Sequence, residues 1–245
     1  LALRAGISVE DLLKLNSGGK DAELLHRVSR VLSLGASSLN DLANGRYVPA
    51  VVDPPEGLFC TSTPFHDMMV NSYVVWDPDT LDAAFFDTGS DAEAMFDFAS
   101  VYDLQVRQIF ITHIHSDHIL DLDRMIIKTG AQALVSSLEP LEGAEPFQPG
   151  TVFSIGRLRV STRRTSGHAT GGISYVVEGL SKSLAIVGDA MFAGSMGGGM
   201  VSYDEALRTN RQEILTLPDE TIICPGHGPL TTVGEQKRAN PFFAD

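Results

Sequence analysis

Hydrophobic and polar positions along the chain change their period near residue 48. Before that point, apolar side chains recur at the three- and four-residue spacing of amphipathic helices. The clearest stripe consists of Leu24, Leu25, Val28, Val31 and Leu32. Residues 1–48 are therefore predicted to be a helical segment, with helices beginning after Ser8 and after Asp21 and a short helix over 38–43. From Leu58 onward, short apolar runs separated by Gly, Pro and Asp turns predict β-strands.

The region from 49 to 245 is predicted to be a second unit of the α/β class. Ser90 and Glu93 have the spacing of a capping box and predict a helix that runs to about Tyr102. A further helix is predicted over 119–129, ending at a glycine. Strands dominate both halves of the region and each half contributes helices. This distribution predicts two sheets packed face to face, with helices on the outside.

Charge also differs between the two units. The chain carries a net charge of -13, yet its first 46 residues hold six basic and five acidic side chains, so the remainder is strongly acidic. An acidic body argues against nucleic acid or an anionic membrane as the main partner, and no apolar run has the ~18 residues of a membrane span. The helix spacing of residues 1–48 is similar to the latter part of a repressor-type helix-turn-helix domain. A helical appendage or a dimerisation element is the alternative, so nucleic-acid binding through these residues and homodimerisation both stay open.

Cysteine usage and the first residues bear on the compartment. The two cysteines, Cys60 and Cys224, cannot form a disulfide framework and are predicted to be reduced thiols. The first eleven residues lack the apolar core and cleavage site of a signal peptide. Both features favour a cytoplasmic protein.

Candidate chemistry is concentrated where the apolar run 109–111 ends. His113, His115, Asp117 and His118 lie in the loop that leaves this predicted strand. Three of the seven histidines of the chain fall within these six residues. Imidazole and carboxylate together are the ligand set of zinc, iron and manganese. The loop is therefore predicted to bind metal.

Three further candidate ligands follow a glycine, two of them directly at the end of an apolar strand. They are His168 in Arg164-Thr-Ser-Gly-His, Asp189 in Leu184-Ala-Ile-Val-Gly-Asp and His227 in Ile222-Ile-Cys-Pro-Gly-His. Glycine permits a tight turn and a close approach of the backbone, which a crowded ligand site requires. Together with the loop after the run 109–111, they make four candidate ligand positions in one chain, which are difficult to explain without a metal.

The order His-x-His-x-Asp-His, followed by His168, Asp189 and His227, resembles the metallo-β-lactamase fold hydrolases over about residues 58–240. The resemblance implies an αββα sandwich with its metals at one edge, between the sheets. It implies two divalent ions, with Zn²⁺ as the first expectation and iron or manganese as alternatives. The implied ligands are His113, His115 and His168 for one ion, Asp117, His118 and His227 for the other, and Asp189 as the bridge.

The same resemblance implies a reaction. Two ions a few Å apart share one hydroxide, whose pKa falls toward about 7, and this hydroxide can attack a carbonyl at neutral pH. Asp117 is the candidate catalytic residue among the ligands. Asp87, at the end of a neighbouring predicted strand, resembles a residue that hydrogen-bonds a ligand imidazole and sets its tautomer. An ordinary turn aspartate is the alternative for this position.

Two segments, 188–195 and 217–243, resemble compact glyoxalase II-type hydrolases, which cleave thioesters such as acyl-glutathione. Gly198 stands where those enzymes usually carry Lys or Arg, and 18 residues follow His227 where full-length glyoxalase II has a helical region that binds glutathione. Hydrolysis of a small-molecule acyl-thioester or ester is therefore predicted, and glutathione is not assigned as the thiol. Lys237 and Arg238 are candidate anion contacts. His66 lies with Phe65, Met68 and Met69 in a loop that can overhang the site.

Other functions remain as alternatives. A lactonase is one of them, because a hydroxide that can attack a thioester can also attack a lactone. A persulfide dioxygenase would use a single Fe(II) held by His113, His168 and Asp189. A DNA-binding regulator would use the hydrolase-like region only to sense a ligand. The presence of all seven candidate ligands favours a working enzyme.

Overall fold

Two six-stranded sheets form the centre of the structure, a computed structural model that describes residues 1–244. The first sheet holds, in spatial order, β1 (Leu58–Phe65), β2 (Met68–Trp76), β3 (Asp82–Phe86), β4 (Gln105–Phe110), β5 (Gln132–Ser136) and β6 (Glu145–Phe147). The second sheet holds, also in spatial order, β7 (Val152–Ile155), β8 (Leu158–Arg164), β9 (Ile173–Glu178), β10 (Leu184–Gly188), β11 (Ile222–Pro225) and β12 (Thr231–Thr232). The short strands β6 and β12 were not predicted.

Helices occupy the N-terminal segment and the connections between strands. The N-terminal helices are α1 (Ala2–Ala5), α2 (Val9–Asn16), α3 (Ala22–Leu32) and α4 (Ala36–Ala43). The later helices are α5 (Glu93–Val101), α6 (Ser116–Ile119), α7 (Leu122–Thr129), α8 (Tyr203–Thr209) with a π-helical turn over Asn210–Ile214, and α9 (Val233–Ala239). Within residues 1–244, no helix combines the length and the hydrophobicity needed to cross a membrane.

The predicted starts of α2 and α3 are confirmed. The side chain of Ser8 accepts a hydrogen bond from the backbone N–H of Asp11, and Asp21 accepts from the N–H groups of Glu23 and Leu24. Both side chains satisfy donors that would otherwise lack a partner at the first helical turn.

The predicted capping box at Ser90 is wrong. The helix begins at Glu93 without a side-chain cap. The Ser90 hydroxyl donates instead to the Pro64 carbonyl, and its N–H donates to Thr63 Oγ1. Ser90 is therefore held by β1 rather than by α5.

The helix predicted over 119–129 is confirmed over Leu122–Thr129 and at its end before Gly130, but its predicted start is wrong, because a break separates α7 from the short helix α6 that ends at Ile119. The break is stabilised by Asp121, whose N–H donates to Thr88 Oγ1 and whose carboxylate accepts from the N–H of Ala92. The first of the two helices carries Asp117 and His118, both buried.

Aromatic side chains fill the space between the sheets. The rings of Phe86 and Phe110 from the first sheet lie 5.4 and 5.0 Å from that of Tyr175 in the second. Helices α5 and α7 cover the outer face of the first sheet through Met95 and Met125, both fully buried, while α8 and α9 cover the outer face of the second. The predicted αββα sandwich is confirmed, and sequestration of this apolar surface from water is its main stabilisation.

The N-terminal helices pack against the second sheet's side of the molecule. The hydroxyl of Tyr203 donates to the carbonyl of Leu32, and the hydroxyl of Tyr47 donates to Glu235 Oε1 on α9. The segment therefore contacts the α/β region directly. The division of the chain near residue 48 stays a prediction.

Candidate metal centre

Strand ends from both sheets meet at one edge of the sandwich. The backbone N–H of Asn71 in β2 donates to the carbonyl of Gly226, which follows β11, at 2.7 Å. The N–H of Ile173 in β9 donates to the carbonyl of Thr112, which follows β4, at 2.9 Å. Each link joins a strand of one sheet to a loop that leaves the other sheet, so both loops lie at the same edge of the sandwich.

The structure brings all seven predicted metal ligands together at this edge. Their ligand atoms form three groups, in each of which all atoms lie within 4.8 Å of one another. The groups are His113, His115 and His168; His113, His118 and Asp189; and Asp117, His118 and His227. Residues as far apart in the chain as His113 and His227 thus share one small volume.

Three imidazole nitrogens converge in the first group. His115 Nδ1 lies 3.0 Å from His113 Nε2 and 3.0 Å from His168 Nε2. The Nδ1 of His168 lies 2.9 Å from the carbonyl oxygen of Gly198, which can only accept, so this nitrogen carries the proton and Nε2 presents a lone pair. A cation satisfies several converging lone pairs, which a single shared proton cannot do.

The second group combines imidazoles with carboxylates. His118 Nε2 lies 3.3 Å from Asp189 Oδ1 and 3.4 Å from Asp117 Oδ2. His227 Nε2 lies 3.3 Å from Asp117 Oδ2 and 3.5 Å from Asp189 Oδ2. The Nδ1 of His227 donates to the carbonyl of Met69 at 2.6 Å, so its Nε2 is also free to bind a cation.

The donor set fits a divalent metal ion. His118 Nε2 and Asp189 Oδ1 are buried and have no hydrogen-bond partner among the residues that the structure describes. Leaving a buried polar atom unsatisfied costs about 1–3 kcal/mol. A cation between these two atoms would satisfy both of them. Nitrogen and carboxylate ligands of this kind suit zinc, iron or manganese.

Asp87 contacts one of the predicted ligand imidazoles directly and a second one through Thr112. Its carboxylate accepts from the N–H of Thr112 at 2.7 Å, from the Thr112 hydroxyl at 2.7 Å and from His118 Nδ1 at 2.8 Å. Because the Thr112 hydroxyl donates its hydrogen bond to Asp87, the same hydroxyl oxygen accepts from the Nδ1–H group of His113, 3.1 Å away. The Nε2 atoms of His113 and His118 both face the cluster and are the ring nitrogens that a metal ion would bind. The Asp87 backbone adopts a positive φ of 53° to place this carboxylate.

Electrostatics in the cluster couple the imidazoles to the carboxylates. Burial alone would lower the pKa of His118, but Asp87 and Asp189 outweigh it and raise that pKa to about 10. Burial likewise opposes the rise of the His227 pKa to about 10, which hydrogen bonds to Asp117 and Asp189 produce. Burial would raise the pKa of Asp189, but the neighbouring His118 and His227 imidazoles hold that pKa well below its usual range. At neutral pH the His118 and His227 imidazoles therefore hold protons, which a bound metal ion would displace.

Two glycines allow the backbone to approach the ligands closely. A Cβ on Gly226 would overlap Asp189 Oδ1 and lie 2.7 Å from His118 Cε1. A Cβ on Gly197 would overlap the Asp189 carbonyl and lie 2.9 Å from His168 Nδ1. The glycine before His227 therefore has the close-approach role that the sequence predicts for it.

A cavity of about 710 Å³ opens over the cluster. Its walls include the ligands His115, Asp117, His168, Asp189 and His227, and the apolar side chains Phe65, Met68, Met69, Phe192 and Met200. Met200 was not singled out in the sequence, because a methionine after a run of glycines carries no signal of its own.

The three predicted substrate contacts do not line this cavity. His66 is exposed and its ring packs edge-on against Phe65, which does line the cavity. Lys237 pairs with Asp219 at 2.7 Å, and Arg238 follows it on α9. Hydrophobic neighbours of the cluster, rather than these polar residues, are the side chains that the structure places beside the ligands.

Comparisons with known proteins agree with this geometry. A family model described as Metallo-beta-lactamase superfamily matches residues 67–227. Hydroxyacylglutathione hydrolase GloC of Haemophilus influenzae is 27% identical over 198 residues, which are 71% of this chain and 92% of that protein.

Two crystal structures share the fold. The BLEG-1 B3 metallo-beta-lactamase is 28% identical, with a TM-score of 0.62 over 76% of this chain and 100% of that one. ETHE1 from Myxococcus xanthus is 24% identical, with a TM-score of 0.66 over 75% of this chain and 83% of that one. The matched family region begins after the N-terminal helices and contains all seven predicted ligands.

Proposed function

This chain belongs to the metallo-beta-lactamase superfamily, and on that premise we propose that it is a metal-dependent hydrolase of a thioester or ester bond. The observation that carries the proposal is the convergence of seven ligand side chains beneath an open cavity. The likeness to a protein named hydroxyacylglutathione hydrolase supports thioesters as the substrate class.

The proposed ligands fall into two sites that share Asp189. His113, His115 and His168 would hold one ion, and Asp117, His118 and His227 the other. Asp189 Oδ1 lies 3.3 Å from His118 Nε2 and its Oδ2 lies 3.5 Å from His168 Nε2, so this carboxylate can serve both. Zinc is the first expectation because it binds imidazole and carboxylate readily.

The chain's own residues would orient the reactants. When bound, the ions supply Lewis acidity that makes water a nucleophile near neutral pH and polarises a carbonyl. Asp117 lines the cavity. Burial raises its pKa, but its hydrogen bond to His227 and the charge of His118 outweigh this and lower it. It is therefore ionised at neutral pH, and its carboxylate can take a proton from the attacking water and pass that proton to the sulfur of the leaving group.

A mononuclear iron enzyme and a lactonase are the other candidates within this fold. The mononuclear site would need only His113, His168 and Asp189. The convergence of Asp117, His118 and His227 favours a second ion instead. A lactone would use the same site as a thioester, so substrate assays have to separate these two.

We also propose that residues 1–48 are an appendage of the hydrolase rather than a DNA-reading domain. The contacts of Leu32 and Tyr47 with α8 and α9 support this assignment. Retarded migration of genomic DNA fragments with the full chain at low salt would contradict it.

Metal analysis paired with activity assays tests the proposed function. Protein purified without chelator should contain about two ions per chain and hydrolyse acyl-thioesters or esters faster than lactones, and chelation followed by zinc should remove and restore both properties. The variant Asp189→Ala should lose metal from both sites and lose hydrolysis. Stoichiometric metal in that variant would contradict the bridging role, and a metal-loaded wild type inactive on thioesters and esters would contradict the function.

A further inference from the structure

One part of the cavity wall is apolar and reaches the ligand cluster directly. It consists of Phe65, Met68, Met69, Phe192 and Met200, here called the apolar wall. Its three methionines are 47%, 49% and 76% exposed. Clustered apolar side chains left exposed to water usually mark a binding surface, and methionine adapts its shape to flexible apolar ligands.

Within residues 1–244, the cavity offers no lysine or arginine side chain that could bind the carboxylates of an anionic thiol. Of its lining residues within the described chain, none is lysine or arginine, and the ionisable ones all belong to the proposed ligand set. The position that could supply a cation is Gly198, which lines the cavity and where a Cβ would meet nothing closer than 3.8 Å. Glutathione carries carboxylates, which bind best to paired cations and strong donors. The net charge of -13 further disfavours an anionic ligand.

We propose that the substrate is a thioester or ester with a medium-length apolar acyl chain and an uncharged leaving group, the chain lying on the apolar wall. This substrate class rests on the proposed hydrolase function. In the reaction, the oxygen of one water forms a bond to the carbonyl carbon and the carbon–sulfur bond breaks. The thiol leaves with one proton and the carboxylic acid releases the other, so no further reactant is needed.

Chain length and leaving-group charge can be varied separately. The metal-loaded enzyme would be assayed with acetyl, butyryl, hexanoyl and octanoyl thioesters of N-acetylcysteamine and with octanoyl-glutathione. A fully buried methylene is worth about fourfold, and on an open wall we expect about twofold, so kcat/KM should rise about 60-fold from acetyl to octanoyl. Octanoyl-glutathione should be at least tenfold slower than the neutral octanoyl thioester. A flat chain-length series, or faster hydrolysis of the glutathione conjugate, would overturn the proposal.

Variants locate the effect on the apolar wall. Met69→Ser and Met200→Ser should each reduce the octanoyl-to-acetyl ratio severalfold. The control Ile127→Ser, at a residue 83% exposed on α7 and outside the cavity lining, should leave the ratio unchanged. Gly198→Arg should shift preference toward the glutathione conjugate. Equal ratios in the two methionine variants and the control would place the acyl chain elsewhere and overturn the assignment.

A binding measurement separates the substrate class from the chemistry. The non-hydrolysable thioethers S-octyl-N-acetylcysteamine and S-octylglutathione would be titrated into the metal-loaded protein by calorimetry. Tighter binding of the neutral thioether, weakened by Met200→Ser, supports the apolar wall even if no thioester is hydrolysed, in which case only the proposed function fails. Tighter binding of S-octylglutathione, or no binding of either thioether, would overturn the substrate class whatever the activity.

Discussion

Oδ2 of Asp87 lies 2.8 Å from Nδ1 of His118, and the two side chains are 3% and 0% exposed. A carboxylate at this position accepts a hydrogen bond from the Nδ1–H group and turns Nε2 of the same ring toward Asp189. Asp87 touches no substrate, and it acts on the cluster through the orientation and tautomer of His118 and, by way of Thr112, of His113. This arrangement makes Asp87 a positioning residue for the metal ligands.

Replacing Asp87 should therefore weaken metal binding. Oδ2 of Asp87 accepts hydrogen bonds from the Thr112 hydroxyl and from His118 Nδ1, and Asp87→Asn can place an NH₂ group there, which cannot accept them. We therefore expect metal affinity to fall about 10- to 100-fold. Competition with a chromophoric chelator measures this change. Asp82→Asn is the matched control, because Asp82 begins the same strand but pairs with Arg107 at the surface. Wild-type affinity in Asp87→Asn would contradict the positioning role.

A methyl group at Gly226 should disrupt the cluster sterically. Gly226→Ala places a Cβ against Asp189 Oδ1 and His118 Cε1, and we expect metal affinity to fall at least about tenfold while the protein remains folded, because a small shift of a ligand is enough. Gly198→Ala is the control, since its Cβ would meet only Met200 Cγ at 3.8 Å. The readout is metal content after dialysis. Equal metal content in the two variants would contradict this prediction, because it would show that the loop after β11 can accommodate a Cβ without displacing the ligands.

Docking of the N-terminal segment should depend on Tyr47. Its hydroxyl donates to Glu235 and accepts from Gln236. Its ring packs so closely against Gly194 that a Cβ on this glycine would lie 2.5 Å from Tyr47 Cε1. We expect Tyr47→Phe to lower the free energy of unfolding by about 1 kcal/mol through the lost hydrogen bonds. Tyr47→Ala should lower it by about 2–3 kcal/mol, because the ring is lost as well.

Urea denaturation of the metal-loaded protein measures both Tyr47 variants. Val48→Ala serves as the control, because Val48 is 77% exposed. If all three variants matched the wild type, residues 1–48 would not be docked through Tyr47.

Acid should destabilise the protein partly through Asp77, whose carboxylate accepts from the N–H of Arg157 at 2.7 Å. Burial raises the pKa of this carboxyl, but the backbone N–H and guanidinium of Arg157 outweigh it and lower the pKa. A lowered pKa in the folded state stabilises the fold above the unfolded value of about 3.9, and the contribution is lost as pH falls through the folded value.

Asp77→Asn should accordingly unfold at a lower temperature than the wild type at pH 7. The difference should narrow below about pH 4, where the wild-type carboxyl becomes protonated. Thermal unfolding between pH 3 and pH 7 tests this, with Asp53→Asn as the control, because Asp53 is exposed and forms no ion pair within residues 1–244. A difference that stays constant down to pH 3 would assign the effect to packing rather than charge.

Several helices and strands could be predicted from the sequence because local interactions determine them. The caps at Ser8 and Asp21 and the long apolar strands depend on neighbours within a few residues, so periodicity and spacing were enough to predict them. The failed cap at Ser90 and the break between α6 and α7 have a different cause. The Ser90 hydroxyl donates to β1, and the backbone N–H of Asp121 donates to Thr88 Oγ1, so both partners are distant in sequence and residue spacing does not show them.

The candidate metal centre also has a part that the sequence predicted and a part that it did not. The sequence by itself determined the seven candidate ligands and the αββα class, because each ligand follows a strand or a glycine in a pattern that local reading recognises. Only the tertiary structure decided which side chains stand beside them. Lys237 lies next to Asp219, and Met200 lies in the cavity, because these neighbours come from separate loops that packing of the two sheets brings to one edge. Contacts between separate loops form only when the two sheets pack together, so the spacing of residues along the chain does not predict them.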